Sequence, residues 1–323
     1  MEAHWSDPSV SAVIPAYNAE LTIADAIQSV LAQTYEIAEI IVVDDGSSDR
    51  TAEIAAEFPR THVIRQPNAG CGAARNTAVQ VASGEWIALL DSDDTWLPRK
   101  TEIQLACITQ EAGVIHCNQF DPIYFGNLWH RQAHVTPSGA LIRKQTLLDV
   151  GGFEDSPAVI DDITCWLKIA LTDWRFVRSE TDLIQYRPTE QSLSANDFKM
   201  ARRELTGIDM VGKRVNCQPE EIERVKQASR IEYSKNLIGG QQWDEAAQLL
   251  QECTPGLASR WLSLARLLKV NRLARTNLVR WLHSVDGGYA SHVCSGECSL
   301  PEVQRRQCME SCRKPYFRPS ELG

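Results

Sequence analysis

Gly84–Arg99 reads GEWIALLDSDDTWLPR, and its two halves set the expected architecture. The run Trp86, Ile87, Ala88, Leu89, Leu90 is short, apolar and bounded by turn residues, the pattern of a strand buried on both faces of a parallel sheet. It ends in carboxylates. Asp91, Asp93 and Asp94 fall within four positions, at the edge where open α/β sheets place their ligands. Acids packed so closely repel and raise one another's pKa unless a cation sits among them. Mg2+ or Mn2+ suits the place: each takes oxygen ligands and enters a site through one or two carboxylates, with substrate phosphates completing its shell. The structural alternative is a solvated acidic turn capping the next helix, since Ser92, Asp94 and Thr95 are all competent N-caps.

Upstream, the same unit recurs. Val10–Ile14 is a β-branched run stopped by Pro15, and Ala16, Tyr17 and Asn18 lead into a helix over Leu21–Gln33, where Ile23, Ile27, Val30 and Leu31 have helical spacing. Ile40–Val43 is a second buried strand ending in Asp44 and Asp45. Gly46, Ser47, Ser48 and Asp49 make the turn, with Asp49 or Ser48 capping a helix to Phe58. His62–Arg65 is a third strand, and Gly70–Ala82 a third helix. Strands alternating with helices imply right-handed crossovers and a parallel sheet. Tyr17, Asp44, Asp45, Arg75 and the Asp91 cluster then share one rim.

Downstream, a helix is expected from Pro98 to Glu111 and a strand at Val114–Cys117. Asn118–Pro137 is expected to be irregular; its aromatics read as anchors, and its histidines are too unpatterned for ligands. Gly139–Ile142 is another strand, and Leu147–Phe153, LLDVGGF, closes a helix with a glycine C-cap. Asp161 and Asp162 open a helix over Ile163–Leu171 with Trp166, Leu167 and Ala170 inward. Acids in a first helical turn are favoured by the dipole whatever else they do; functionally, such a pair can supply a base. The sheet is expected to continue through Trp174–Arg178 and Leu183–Arg187.

The expected divisions are 1–196 for an α/β domain, 197–285 for a helical accessory region and 286–323 for a Cys-rich tail. Within the second, Arg230–Cys253 has the pattern of one tetratricopeptide-like helix pair. In the third, Cys294, Cys298, Cys308 and Cys312 form two CxxxC pairs, for which zinc, disulfides and free thiols all stay open.

With 323 residues, 43% hydrophobic and 23% charged, the chain has the composition of an ordinary globular protein. A formal charge of -9 argues against nonspecific nucleic-acid binding. No apolar run approaches the roughly eighteen residues of a membrane span, and MEAHWSDPSV lacks the basic and apolar regions of a signal peptide. The expectation is a cytoplasmic protein, with peripheral association at the inner face of a membrane left open. Most of the ten cysteines are then expected as thiols, with Cys71, Cys107, Cys117, Cys165, Cys217 and Cys253 read as small buried hydrophobes.

Taken in order, VSAVIPAYNAE, SVLAQTY, EIIVVDDGSSDRT, NAGCGAARNTAV, GEWIALLDSDDTWLPRK, GALIRKQTLLDVGGF and DDITCWLKIA resemble the inverting GT-A glycosyltransferases of family two, over about Ser9–Ser194. The resemblance implies an α/β, Rossmann-like GT-A fold with a mainly parallel sheet, followed here by an α-helical C-terminal region. It also implies transfer of a sugar from a nucleotide-sugar donor, with a UDP-sugar expected, to a glycan or lipid-linked acceptor. By position, Pro15, Ala16, Tyr17, Asp45 and Arg75 would hold the nucleotide, with Asp44 supporting that loop. Asp91 and Ser92 would lie at the donor, Asp91, Asp93 and Asp94 at the Mg2+ or Mn2+ ion, and Asp162 would be the general base. The motif containing Asp161 and Asp162 usually begins with Glu, and Thr189 stands where many relatives carry a histidine near the diphosphate. Two other readings compete: a sugar-nucleotide nucleotidyltransferase, disfavoured because Pro15–Asn18 is not a Gly-rich basic loop, and a binding or scaffold protein that has kept the fold without turnover.

Overall fold

The computed structural model describes residues 8–118, 122–179, 182–187 and 196–253. They divide into two compact units. One contains the described residues 8–124 and 133–187, the other 125–132 and 196–253. Thr189 and the four tail cysteines lie outside the described residues.

The first unit is built on a seven-stranded sheet. Its strands are β1 (Val10–Ala16), β2 (Glu39–Asp44), β3 (Thr61–Arg65), β4 (Trp86–Leu89), β6 (Ala112–His116), β7 (Ala140–Arg143) and β8 (Arg175–Arg178), in the order β3-β2-β1-β4-β7-β6-β8. The pairs β1·β2, β1·β4, β2·β3 and β6·β8 are parallel. The strand β7 runs antiparallel to both neighbours, which makes the sheet mainly parallel. Because the chain leaves β3 at one edge and re-enters on the far side of β1, the carboxyl ends of β1 and β4 flank a topological switch point, where such sheets open a ligand crevice.

β1 is not stopped by Pro15. Val13's carbonyl faces β4, accepting from Leu90 N, and Ala16's faces β2, accepting from Asp45 N. By alternation Pro15 turns its missing N–H toward β4, past the last pair Val13↔Leu89, so no ladder bond is lost.

The helices α1 (Ile23–Leu31), α2 (Thr51–Ala56), α3 (Cys71–Val81), α4 (Lys100–Leu105), α6 (Lys144–Asp149) and α7 (Asp161–Ile169) surround the sheet strands in sequence. Ile23, Ala26, Ile27 and Val30 of α1 join the core with Val10, Ile14, Ile40, Val42 and Trp86. After α6, Gly151 and Gly152 take φ of 76° and 73°, and their N–H groups return to Leu148 and Leu147, the Schellman closure that LLDVGGF implies.

Four further expectations require correction. The helix after Pro98 ends at Leu105 rather than Glu111, because Cys107 N and Ile108 N make tight i→i−3 bonds that turn the chain toward β6. Thr95–Trp96 is a two-residue strand, β5, paired with β9 (Ile184–Gln185). The Leu183–Arg187 run therefore belongs to a separate ribbon, not to the main sheet, and the acids before Thr95 do not cap a helix. Asn118–Pro137 is not wholly irregular, since α5 (Phe125–Trp129) forms there with all five residues buried and Phe125 stacked on Trp129 at 5.6 Å. Finally, Cys117, Cys165 and Cys253 are buried, but Cys71, Cys107 and Cys217 are only half-buried.

In the second unit, α8 (Asp197–Arg214), α9 (Pro219–Gly239) and α10 (Trp243–Gln251) pack around Ala201, Tyr233, Leu237, Ile238, Ala246 and Leu249. Buried Glu204 accepts from Tyr233 Oη at 2.9 Å and pairs with Arg131 at 3.0 Å. The Arg131 guanidinium lies 4.9 Å from the Tyr233 ring centroid. This gives the buried acid both a counter-charge and a hydrogen bond.

No helix among the described residues is long and apolar enough to cross a membrane.

Candidate functional site

At the end of β1, Tyr17 is exposed and Asn18 adopts a left-handed φ of 48°. The loop is fastened to the turn after β2. Asn18 N donates to Ser47 Oγ at 2.9 Å, Ser48 N to Asn18 Oδ1 at 2.9 Å, Ala19 N to Thr51 Oγ1 at 2.8 Å and Glu20 N to Asp49 Oδ2 at 3.1 Å. Asp49 accepts from Thr51 N and Oγ1 as well, which holds its carboxyl below the usual carboxylate range against the opposing effect of burial. DGSSDRT thus works here as a clasp between two loops, a role whose long-range half is invisible in local pattern.

Asp44 and Asp45 hold loops. Asp44 Oδ1 accepts from Ser47 N at 3.0 Å, and Arg65 Nε reaches its Oδ2 at 3.0 Å. Asp45 accepts from Gln66 Nε2, Ala69 N and Gly70 N at 2.7, 2.9 and 2.8 Å. Its two oxygens offer about four lone-pair sites, so one remains for an incoming N–H. Ala16 gives its carbonyl to Asp45 N at 2.8 Å, and Pro15 is buried in register with Val43. Gly46, at φ 81°, lets the turn pass Asn68, whose N a Cβ would meet at 2.9 Å.

The centre is Arg75. On α3 and 3% exposed, it donates from Nη1 to Asp161 Oδ2 at 2.5 Å and from Nη2 to Asp91 Oδ1 at 2.6 Å. Its guanidinium also faces Phe153 at 5.5 Å. One buried cation therefore joins the acid after β4 to the acid opening α7. Asn76, which sequence reasoning passed over, secures the same junction: Nδ2 donates to Phe153 O and Oδ1 accepts from Phe153 N, both at 2.9 Å. Lys168 adds bonds to Gly152 O and Glu154 Oε1 at 2.6 and 2.9 Å. The only sequence signal for Asn76 was its place beside Arg75.

The three acids after β4 have different surroundings. Asp91 pairs with Arg75, yet burial outweighs that pairing and raises its pKa. Asp94 is buried. It accepts from Ser138 Oγ at 2.6 Å and Arg187 N at 3.0 Å, and burial pushes its carboxyl up to about 6. Ser138 Oγ also accepts from Asp91 N at 3.1 Å. Arg187, another residue not foreseen, donates from Nε to Asp93 O at 2.7 Å and from Nη1 to Asp25 at 2.7 Å, gripping the turn by its backbone. Asp93 and Ser92 are half-buried.

Among the described residues no three His, Cys, Asp or Glu side chains are grouped to hold a metal. The donor set nonetheless fits a hard divalent ion of the kind that enters through one or two carboxylates and keeps its other positions for phosphate and water. Asp91 and Asp93 are the partly open carboxylates of the turn; Asp94, expected to share the ion, is buried and accepts from Ser138 Oγ and Arg187 N.

Asp162 is half-buried at the second position of α7. Burial first, and then the neighbouring Asp161 charge, push its carboxyl up to about 7, with Arg75 opposing. A carboxylate in that range can accept a proton near neutral pH. The structure thus brings Arg75, Asp91, Asp161 and Asp162 into one electrostatic cluster, while Asp44 and Asp45 shape the neighbouring loops.

The family description Glycosyl transferase family 2 matches residues 11–166. The chain is 33% identical over 61% of its length to 84% of the Escherichia coli UDP-Glc:alpha-D-GlcNAc-diphosphoundecaprenol beta-1,3-glucosyltransferase WfgD. It is 30% identical over 62% of its length to 86% of the putative teichuronic acid biosynthesis glycosyltransferase TuaG of Bacillus subtilis. In fold it is similar to the mannosyltransferase PcManGT from Pyrobaculum calidifontis, solved with GDP-Man and Mn2+, with a TM-score of 0.58 and 19% identity over 86% of this chain and 84% of that one. With its strand order, its switch point between β1 and β4 and the extent of these matches together, the chain belongs to glycosyl transferase family 2 and has the GT-A fold.

Proposed function

We propose that this chain is an inverting, metal-dependent glycosyltransferase that moves a sugar from a UDP-linked donor to a hydroxyl of a lipid-linked or cell-surface glycan. The observation that carries this reading is the double ion pair of Arg75, which sets the donor-side Asp91 and the α7 acids side by side. The glucosyltransferase relative takes UDP-Glc and a diphosphoundecaprenol acceptor by its name; this supports the UDP donor and a lipid-linked acceptor.

In this reading Tyr17 lies against the nucleotide base, Asp45 receives a ring N–H at its remaining acceptor position, and Asp91 and Asp93 hold Mg2+ or Mn2+ with the donor's diphosphate. A divalent ion there supplies Lewis-acid stabilisation of the charge that develops on the departing diphosphate. Asp162 takes the acceptor hydroxyl's proton as the new glycosidic bond forms on the face opposite the leaving group. A single displacement inverts the anomeric centre and needs no enzyme nucleophile. Ser138 and Arg187 keep the Asp91–Asp94 turn in place by bonds to Asp94 and to the Asp93 carbonyl.

Calorimetric titration of UDP into the protein with and without Mn2+ tests this. Binding is expected only, or far more tightly, with Mn2+, and Asp93→Ala is expected to weaken the metal-dependent component by about ten-fold or more, as for one charge-assisted ligand contact. Absence of UDP binding under both conditions favours the scaffold reading, and an unchanged affinity in Asp93→Ala removes that residue from the metal site.

A further inference from the structure

Arg75 has a buried Nε for which no acceptor exists among the described residues, although both Nη atoms are engaged. An unpaired buried donor on a guanidinium is costly, and here it belongs to a side chain that bridges Asp91 to the opening of α7. The Asp91 carboxylate it holds is also one of the two partly open acids suited to a divalent ion. A guanidinium and a divalent ion closing on one carboxylate would repel each other across a few ångströms of poorly screened interior.

Resting on the proposed function above, we propose that Arg75 is a built-in stand-in for the metal, so that the guanidinium and the divalent cation are alternative partners for Asp91. In the donor-free chain Arg75 neutralises Asp91 and Asp161 together. When the cation arrives with a nucleoside diphosphate, Asp91 passes to the cation, and Nη2 and the unsatisfied Nε are released toward the incoming anion, while Nη1 stays on Asp161. Two consequences follow. The metal alone binds weakly, since it must displace a buried ion pair with nothing to compensate the freed guanidinium. Metal and nucleotide bind cooperatively because the diphosphate supplies that compensation.

The test is titration with Mn2+ alone, followed by spin resonance of the free ion, on the full chain and on Arg75→Lys and Arg75→Gln. Lysine keeps the charge but cannot bridge two carboxylates as a planar fork does. Arg75→Lys is expected to bind Mn2+ about three-fold more tightly than the parent, and Arg75→Gln about ten-fold more tightly, the scale of one charge-assisted hydrogen bond released. In both, the gain in Mn2+ affinity produced by added UDP is expected to shrink. Affinity for Mn2+ alone that is unchanged or weaker in Arg75→Lys overturns the proposal, and because that variant keeps the buried counter-charge it decides the matter even if Arg75→Gln fails to fold. Mn2+-dependent UDP binding in the parent with no gain in the variants rejects the stand-in role and leaves the proposed function intact. If neither the parent nor any variant takes up Mn2+ either alone or with UDP present, both readings fall.

Discussion

Asp162→Asn is expected to lower sugar transfer by about a hundred- to ten-thousand-fold, the usual worth of a positioned base, while UDP and Mn2+ binding stay within about two-fold. The amide keeps the side chain's size and its place in the first turn of α7 but cannot accept the acceptor's proton. The buried neighbour Asp161 holds Arg75 and so keeps the cluster assembled in the variant. The pH dependence carries the same signature. Burial raises the Asp162 pKa to about 7, so the protonated, inactive form dominates below that value. The rate is expected to rise with pH through about 7 and level off above it, and the residual rate of Asp162→Asn is expected to lack that limb. The groups that set the limb are Asp161, Asp91 and Arg75, so it should move if any of them is changed. A variant that keeps most of its transfer activity places the base elsewhere.

Gly72→Ala is the second large effect. A Cβ at Gly72 would run into the Glu154 carbonyl oxygen and lie 2.9 Å from Asp161 Cβ, and neither is the far end of a flexible side chain. Either α3 or the segment between Phe153 and Asp161 must shift, although Asn76 at Phe153 and Lys168 at Glu154 both tie that segment down. Overpacking of this kind costs about 1–3 kcal/mol, which for a unit of this size lowers the melting temperature by roughly 3–10 °C. Because the displaced backbone carries Asp161, transfer is expected to fall by well over ten-fold even in the fraction that stays folded. Thermal unfolding with transfer assays on the same preparation checks both; a variant that matches the parent in both contradicts the close approach of α3 to this corner.

The strands that carry the acids were legible because apolar runs ending in polar turns are written locally. WIALLDSDD announces a buried strand and its acidic end whatever lies beside it. Direction and pairing are not written there, and GALIR reads as a strand whether it runs parallel or antiparallel. The reversal at β7 and the withdrawal of Leu183–Arg187 into a two-stranded ribbon are therefore found only in the sheet. The site divides in the same way. The acids at the strand ends could be named from sequence, but their partners are settled by packing: Asp94 accepts from Ser138 and Arg187 across 44 and 93 positions of chain. Arg75, expected at the nucleotide, also bridges two carboxylates, a pairing that the local sequence does not show. In DGSSDRT the turn was readable, whereas its bonds to Asn18, Ala19 and Glu20 were not, since they join loops about thirty residues apart.

On the proposed function, acids from separate segments act on one nucleotide sugar with the help of a divalent ion. Incubating the full chain with a panel of nucleotide sugars, with Mn2+ or with a chelator, and measuring nucleoside diphosphate release tests it most directly. Release from a UDP-sugar with Mn2+, absent with chelator and absent in Asp93→Ala, is the predicted result; no release from any donor, or equal release with chelator, contradicts it.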